Sequence, residues 1–348
     1  MARRLDFLVP MYNEGQEVVK PLLDSIALQR QVDFDDIGVI ICCDGGSTTL
    51  SDEFMSQYPF HVEFHMCEHH GVSATRNACL DLSEAEYVIW CDCDDMLSDA
   101  CGLYIIFREM DADPNPQEMQ MLGIPKDEWQ KGFDFLISNF REETKGPDGK
   151  ITYIDHPQDS TFVHGKVARR QWLLDNDLRF NPELTVHEDS YMIILCREIA
   201  KPSRAKLCPL AWYTWCWRNE SVCRSDLKYI LKTFGNMLSS NRAVVEEFLR
   251  RMMPEQAANY FVMMCWETFY LLNKPEWIET VNADYRDAVE RQFAGYFRDH
   301  RDMWDNMPEQ QKMVISQGVR QRSIMEGMLR EALTIDQWLD RILDMYPE

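Results

Sequence analysis

Apolar runs and helix-like segments alternate through residues 1–100, and this alternation constrains the fold more than any other feature of the sequence. Residues 37–43 form a continuous apolar run, as expected of a strand covered on both faces, whereas residues 17–29 place apolar side chains at helical intervals. The same criteria predict further strands at residues 5–9, 61–66 and 87–91 and helices at 51–57 and 72–82. Strands that alternate with helices indicate an α/β fold with a mostly parallel sheet whose two faces are covered by helices.

Three polar segments follow predicted strands directly: Pro10-Met11-Tyr12-Asn13-Glu14, Asp44-Gly45-Gly46-Ser47 and Asp92-Cys93-Asp94-Asp95. In parallel sheets, ligands bind beyond the carboxyl ends of the strands, so we expect the three segments to meet at one site. The last segment places three carboxylates in four residues, and a bound cation would relieve their mutual repulsion. Hard oxygen ligands suit Mg²⁺ or Mn²⁺, and the alternative interpretation is a solvated acidic turn at the start of a helix.

The chain divides at about residue 225, beyond which glycine and proline become sparse and apolar residues recur at helical spacing. We therefore expect a first domain at residues 1–224 and an α-helical C-terminal domain at residues 225–348. Within the first domain, the proline-marked residues 111–131 indicate an insertion or flexible loop. The remaining predictions are strands at 133–140, 151–154 and 207–217 and helices at 166–176 and 189–199.

Composition excludes several classes of function. The net charge of −22 disfavours non-specific binding to nucleic acid or to an anionic membrane surface. No apolar run reaches the roughly 20 residues that a membrane span requires. The 12 cysteines include no Cys-x-x-Cys pair, and no apolar leader precedes the first strand, so we interpret them as packing residues in a reducing cytoplasm.

Motifs in series then indicate a family. The segment Leu8-Val9-Pro10-Met11-Tyr12-Asn13-Glu14 and the turn at Asp44 precede Gly71-Val72-Ser73-Ala74-Thr75-Arg76-Asn77, the Asp-x-Asp of residues 92–94, His187-Glu188-Asp189, and Trp217-Arg218 with Ser221. In this order and spacing, over roughly residues 5–225, they resemble the motifs of family 2 glycosyltransferases. The resemblance implies the GT-A fold, a Rossmann-like and mostly parallel central sheet with helices on both faces, followed here by an α-helical C-terminal region.

The resemblance also implies how a nucleotide-sugar donor would be bound. Pro10, Tyr12 and Glu14 would belong to the nucleotide pocket, with Tyr12 near the base. Asp44 would accept a hydrogen bond from the ring N–H of uracil, so that a uridine nucleotide is the expected carrier. The residues that would contact the nucleotide or its diphosphate are Arg76, Arg218 and Ser221.

Metal binding and the chemical step are implied by the same motifs. Asp94 would bind Mn²⁺ or Mg²⁺ directly, Asp92 would face the ribose or the hydration shell of the metal, and Asp95 would lie behind them. Asp189 would be the general base that deprotonates the acceptor hydroxyl, and Glu188 would orient it or contact the acceptor. Because one base then acts by in-line displacement without a covalent intermediate, we expect inversion at the anomeric carbon.

The turn at Asp44 departs from the family pattern Asp-Asp-Gly-Ser, because Gly45 stands in place of the second acid. This departure affects the expected preference for uridine more than the reaction type. Basic residues between positions 199 and 225 interrupt the acidic chain, and we expect them to meet the donor phosphates: Lys201, Arg204, Lys206, Arg218 and Arg224. His69 and His70 are predicted to be exposed loop residues, whereas His156, His164 and His187 are candidates for the acceptor side.

Other functions remain open at this point. One is a glycosyltransferase that acts on modified nucleobases in DNA, and another is an inactive nucleotide-sugar binding module, which we would expect to lack Asp94 or Asp189. An enzyme that forms sugar nucleotides ranks low, because residues 10–15 lack its glycine-rich phosphate loop. The acceptor is a glycan, lipid, protein or nucleobase, and the helical C-terminal region is a candidate surface for forming a homo-oligomer.

Overall fold

A computed structural model describes residues 3–146, 148–159, 161–218, 227–320 and 333–347. The chain divides into two compact units, Met1–Glu220 and Ser221–Glu348. The first unit contains nine strands among its described residues: β1 (Leu5–Met11), β2 (Ile37–Asp44), β3 (His61–Cys67), β4 (Tyr87–Trp90), β5 (Met96–Leu97), β6 (Phe135–Lys145), β7 (Ile151–His156), β8 (Lys166–Arg169) and β9 (Ala205–Trp215). Its helices are α1 (Gln16–Ala27), α2 (Asp52–Met55), α3 (Val72–Leu82), α4 (Gly102–Asp111), α5 (Pro116–Met121), α6 (Arg170–Asp175) and α7 (Glu188–Ile199).

The strands form one sheet in the order β3-β2-β1-β4-β8-β6-β9-β5, with β7 paired to β6. Strands β3, β2, β1 and β4 run parallel, while β8 is antiparallel to both β4 and β6. Every residue of β1 and β2 is buried, which explains why these strands are apolar runs rather than alternating ones. Because β4, β1 and β2 are parallel neighbours, their carboxyl ends lie at one edge of the sheet, where the predicted polar segments follow.

The predicted helix at 166–176 is wrong in its first turn. Lys166–Arg169 is the strand β8, and the helix α6 begins only at Arg170. The Lys166 side chain is fully buried, and its Nζ donates a hydrogen bond to the carbonyl of His164 at 2.9 Å. A segment of four residues is too short for its apolar pattern to distinguish a helix from a strand. Pairing with β4 and β6 makes this segment a strand.

Residues 111–131 contain more order than the predicted flexible loop. Helix α5 spans Pro116–Met121, and a single 3₁₀ turn follows at Lys126–Glu128. The helix begins with the signature of an N-terminus, because the Asn115 side chain accepts a hydrogen bond from the backbone N–H of Gln117 at 3.0 Å and proline occupies the first turn.

The second unit is helical throughout its described residues. Its helices are α8 (Leu227–Arg250), α9 (Pro254–Leu272), α10 (Pro275–Thr280), α11 (Ala283–Asp299), α12 (Arg301–Asn306), α13 (Glu309–Arg320) and α14 (Ile335–Met345). The aromatic residues at helical spacing are core residues, as predicted: Trp266, Phe269, Tyr270, Trp277, Phe293, Tyr296, Phe297, Trp304 and Trp338 are all buried. Among the described parts of the chain, no helix is both long and apolar enough to cross a membrane.

Candidate active site

Arg76 is the centre of a buried cluster of charged side chains. It lies on α3, which begins after Gly71, and its guanidinium is almost fully buried. One terminal nitrogen donates to Asp92 at 2.9 Å, and the other donates to Glu188 at 2.8 Å and to Asp189 at 2.6 Å. Predicted site residues from α3, from the turn after β4 and from the start of α7 are therefore joined through the guanidinium of Arg76.

Three carboxylates share this single guanidinium, and the pKa values of two of them, Asp92 and Asp189, are shifted in opposite directions. Burial, with the charges of Glu188 and Asp92, outweighs the attraction of Arg76 and raises the pKa of Asp189 to about 8. Burial also opposes ionisation of Asp92, but there the charge of Arg76 prevails and holds the pKa of Asp92 below its usual value. The surroundings of Asp92 and Asp189 thus push the pKa values of these two carboxyl groups apart, an arrangement typical of acid–base sites.

Glu188 and Asp189 are the first two residues of α7, and His187 before them adopts the left-handed conformation with φ of 64°. A non-glycine residue in this region is strained by about 1 kcal/mol or more and is held by its surroundings. The carboxylates lie at the helix N-terminus, where the helix dipole favours negative charge.

Asp94 pairs with the second cation of the site. The Arg218 guanidinium donates to an Asp94 oxygen at 2.9 Å, and this bond raises the pKa of Arg218. The charge of Glu14 also raises that pKa, so Glu14 is close enough to interact electrostatically with the pair. Burial and the charge of Asp92 raise the pKa of Asp94, while Arg218 opposes that shift. The pair is partly exposed, so both side chains are accessible to a ligand.

Asp95 lies behind the other two aspartates and is fully buried. The Tyr213 hydroxyl from β9 and the backbone N–H of Cys216 both donate to it, the latter at 2.8 Å. The Tyr213 oxygen also accepts a hydrogen bond from the backbone N–H of Asp92 at 3.2 Å. One tyrosine therefore holds the turn from Asp92 to Asp95 at both ends, a role that sequence reasoning did not assign to it.

His164 stands beside these aspartates rather than at a separate acceptor surface. Its Nδ1 is 3.7 Å from an Asp95 oxygen, and one ligand atom from each of Asp92, Asp95 and His164 lies within 4.8 Å of the others. This Nδ1 is buried and has no hydrogen-bond partner. Burial lowers the pKa of His164 to about 4, so the imidazole is neutral at physiological pH.

Asp44, at the end of β2, lies in a turn that its own side chain organises. Its carboxylate accepts hydrogen bonds from the backbone N–H groups of His70 at 2.8 Å and Gly71 at 3.0 Å, and it is 3.0 Å from Nδ1 of His69. The side chains of His69 and His70 are exposed, as predicted. The ring of Tyr12, half exposed, stacks on His69 with centroids 5.1 Å apart and an interplanar angle of 24°.

The departure of this turn from the family pattern has a backbone cause. Gly45 has φ of +78°, in the left-handed region, and a Cβ there would lie 2.9 Å from the Cβ of His69. An aspartate at this position would be strained and would displace His69, so glycine suits the conformation of this chain.

The predicted basic cluster does not act as one surface. Arg204 is buried and structural: it donates to Asp134 at 2.8 Å and to the carbonyl oxygens of residues 130–132, so it is not available to a phosphate. Its location next to the start of β6 and β9 explains the burial. Ser221 and Arg224 lie outside the described residues, and Arg218 is the member that reaches the aspartates.

Comparison with known proteins indicates the same family as the sequence motifs do. Residues 6–173 match the family model described as glycosyl transferase family 2. A curated relative, a poly(ribitol-phosphate) beta-glucosyltransferase of Bacillus spizizenii, is 23% identical over 198 residues, which cover 53% of this chain and 28% of the relative. The match therefore spans less than a third of the relative's length.

Solved structures of S. aureus TarS, residues 1–349, resemble the chain in fold. The complex with UDP has a TM-score of 0.60 at 15% identity and covers 99% of this chain and 91% of that one. The complex with UDP-GlcNAc has a TM-score of 0.53 at 17% identity, covering 91% and 92%. This likeness confirms the predicted fold, a mostly parallel sheet of the GT-A type followed by a helical C-terminal region.

Proposed function

We propose that this chain, whose residues 6–173 match the model of glycosyl transferase family 2, transfers a sugar from a UDP-linked donor to an acceptor hydroxyl with inversion at the anomeric carbon. The observation that carries the proposal is the junction of Arg76 with Asp92 on one side and with Glu188 and Asp189 on the other. Donor-binding and acceptor-activating residues, separated widely in sequence, are held within hydrogen-bond distance of one guanidinium.

Asp189 acts as the general base in this proposal. It is the second residue of helix α7, and its pKa of about 8 is close to the working pH of a general base. Glu188 keeps Arg76 engaged when Asp189 turns to the acceptor hydroxyl. A single base on the face opposite the leaving group favours inversion over retention.

Mn²⁺ or Mg²⁺ at the aspartate turn completes the donor site. The residues fit such an ion, because the carboxylates of Asp92 and Asp94 are partly exposed and burial together with mutual repulsion disfavours their joint ionisation. A bound cation would supply Lewis-acid stabilisation of the charge that develops on the departing diphosphate. Arg218, beside Asp94, stabilises the same oxygen charge from the other side.

Uridine is the favoured base. TarS, whose fold this chain shares, was solved with UDP and with UDP-GlcNAc. Tyr12, exposed and stacked on His69, provides an aromatic surface beside the proposed base position, and Pro10 is buried in β1, which ends at Met11. Asp44 has both oxygens engaged by N–H groups but retains lone pairs for one more donor, as a uracil ring N–H requires.

Donor hydrolysis provides an assay that needs no acceptor. We expect Mn²⁺-dependent release of UDP from UDP-sugars, with GDP- and CDP-sugars as comparison donors. Asp189→Asn should reduce transfer and hydrolysis by about 10²-fold or more while leaving the Kd for UDP within a few fold. Glu183→Gln is the matched control, because Glu183 is an exposed acid shortly before α7 and should leave both values unchanged.

Two outcomes would contradict the proposal. Turnover that survives Asp189→Asn would place the base elsewhere. Binding of UDP without any turnover of any UDP-sugar would indicate the alternative of an inactive binding module, and the absence of nucleotide binding would exclude both.

A further inference from the structure

A buried imidazole nitrogen, that of His164, lies beside the aspartate turn of residues 92–95. His164 is in the segment between β7 and β8, and only 3% of its surface is exposed. Its Nδ1 lacks a hydrogen-bond partner and is 3.7 Å from Asp95, too far for a hydrogen bond. A buried imidazole nitrogen without a partner is uncommon and indicates an unseen ligand or a functional role.

The imidazole ring is fixed before any ligand arrives. It stacks on Tyr213 with centroids 5.0 Å apart and on Trp215 at 5.4 Å, and it meets Phe140 edge-on at 5.2 Å. The Nζ of Lys166 holds the His164 carbonyl at 2.9 Å. The orientation of Nδ1 toward the aspartates is therefore set by packing rather than by a flexible side chain.

The distances suit a shared metal ion. Two ligands at about 2.1 Å from one octahedral ion are about 3.0 Å apart when adjacent and about 4.2 Å apart when opposite. The 3.7 Å between Nδ1 of His164 and the Asp95 oxygen lies within this interval, and one ligand atom of Asp92 lies within 4.8 Å of both.

We propose that His164 is a direct ligand of the divalent cation, together with Asp92 and Asp95, and that Asp94 remains paired with Arg218. The inference rests on the proposed function and extends it, because the buried Asp95 replaces Asp94 as the second carboxylate ligand of the metal.

The ligand set also determines which cation is preferred. Oxygen ligands alone suit Mg²⁺, whereas an imidazole nitrogen shifts the preference toward transition ions. Wild-type protein should bind Mn²⁺ at least about tenfold more tightly than Mg²⁺, and the loss of His164 should reduce that ratio.

Electron paramagnetic resonance of Mn²⁺ tests the inference without measuring turnover. Mn²⁺ is added to the full chain with and without UDP, and bound ion is measured from the loss of the free-ion signal. His164→Asn should weaken Mn²⁺ binding by about 10- to 100-fold. His156→Asn is the matched control, because His156 also stacks on Phe140, with centroids 4.5 Å apart, but pairs with Glu142 rather than with the aspartate turn; it should bind Mn²⁺ as wild type does.

Electron spin echo spectra add a signature that a structural role would not produce. Wild-type protein should show nitrogen coupling to Mn²⁺ that changes when its histidines carry ¹⁵N, an experiment that requires no substitution and no refolding. The inference would be overturned if the nitrogen coupling did not change when the histidines carry ¹⁵N. It would also be overturned if a folded His164→Asn variant bound Mn²⁺ with an affinity within twofold of wild type. If that result accompanies Mn²⁺-dependent donor hydrolysis, the proposed function stands and the metal lies at Asp94; if neither Mn²⁺ nor UDP binds, both proposals fail.

Discussion

Asp189→Asn should make the first unit more stable while it removes activity. Asp189 is largely buried, and it shares Arg76 with Asp92 and Glu188. The asparagine keeps an oxygen that accepts from Arg76 but carries no charge. The variant therefore removes a carboxylate whose ionisation the site disfavours.

The magnitude follows from the pKa of about 8, compared with the ordinary value of 3.8. Each unit corresponds to about 1.4 kcal/mol, so the raised pKa weakens folding by up to about 4 kcal/mol at neutral pH, where the carboxyl of the unfolded chain is ionised. The asparagine amide has a single acceptor oxygen, so its NH2 group would face the backbone N–H of Val163, which lies 3.4 Å from an Asp189 oxygen. This mismatch offsets part of the gain, and we expect a net stabilisation of about 1–2 kcal/mol, or roughly 2–8 °C in Tm for a unit of this size.

The sign of the pH dependence is determined by the same shift. Because the folded-state pKa lies above the unfolded value, the protonated carboxyl stabilises the fold fully below about pH 4, and that contribution is lost as pH rises through about 8. The Tm advantage of the variant should therefore be small at pH 5.5 and largest at pH 8.5 and above.

Thermal unfolding of both proteins across this pH range is the assay. Asp155→Asn is the control, since Asp155 is exposed and paired with Arg141, which lowers its pKa. Its Tm difference should be small and should not increase in favour of the variant with pH. A Tm of Asp189→Asn below wild type at pH 8.5, or a difference independent of pH, would refute the reasoning, because Asp189 would then be a stabilising partner of Arg76.

Two further predictions concern Arg76 and the turn that follows Asp44. Arg76→Gln leaves three carboxylates without their cation, so it should destabilise the first unit by about 3–5 kcal/mol at neutral pH in urea unfolding and abolish donor turnover; unfolding unchanged within error would contradict the hub role. Gly45→Asp restores the acid of the family pattern but meets a φ of +78° and the Cβ of His69, so it should lower stability by about 1–3 kcal/mol, with Gly45→Ala giving most of that loss; an unchanged Tm would show that the turn relaxes freely.

Sequence reasoning predicted the elements whose local pattern and tertiary environment agree. Strand β2 is apolar because it is buried on both faces, and α3 was predicted with the bounds Val72–Leu82 that it has. It failed at β8, where a lysine at a position that resembles a helix start is buried by pairing with two strands. Local periodicity contains no information on such pairing.

The candidate site shows the same division. Residue types and spacing identified Asp92, Arg76 and Asp189 separately, but their meeting depends on how α7 returns to the sheet. His164 was predicted only as a candidate for the acceptor side and Tyr213 was not singled out, because a histidine or tyrosine near a strand is usually a packing residue. Only the juxtaposition with the buried aspartates distinguishes them.

The charge of the site explains how an acidic chain of net charge −22 can take an anionic donor. Among the described residues, five carboxyl groups are gathered around the guanidiniums of Arg76 and Arg218: those of Asp92, Asp94, Asp95, Glu188 and Asp189. The pKa values of Asp94, Asp95 and Asp189 are all raised, which reduces the negative charge of the site, whereas Arg76 keeps Asp92 ionised. A diphosphate alone would thus meet the negative charge of Asp92 at the turn, whereas a divalent cation there would neutralise the carboxylates nearest to it. We therefore expect the cation to bind before the donor or with it, so that the Kd for UDP measured without Mn²⁺ should exceed the value with Mn²⁺ by about tenfold or more.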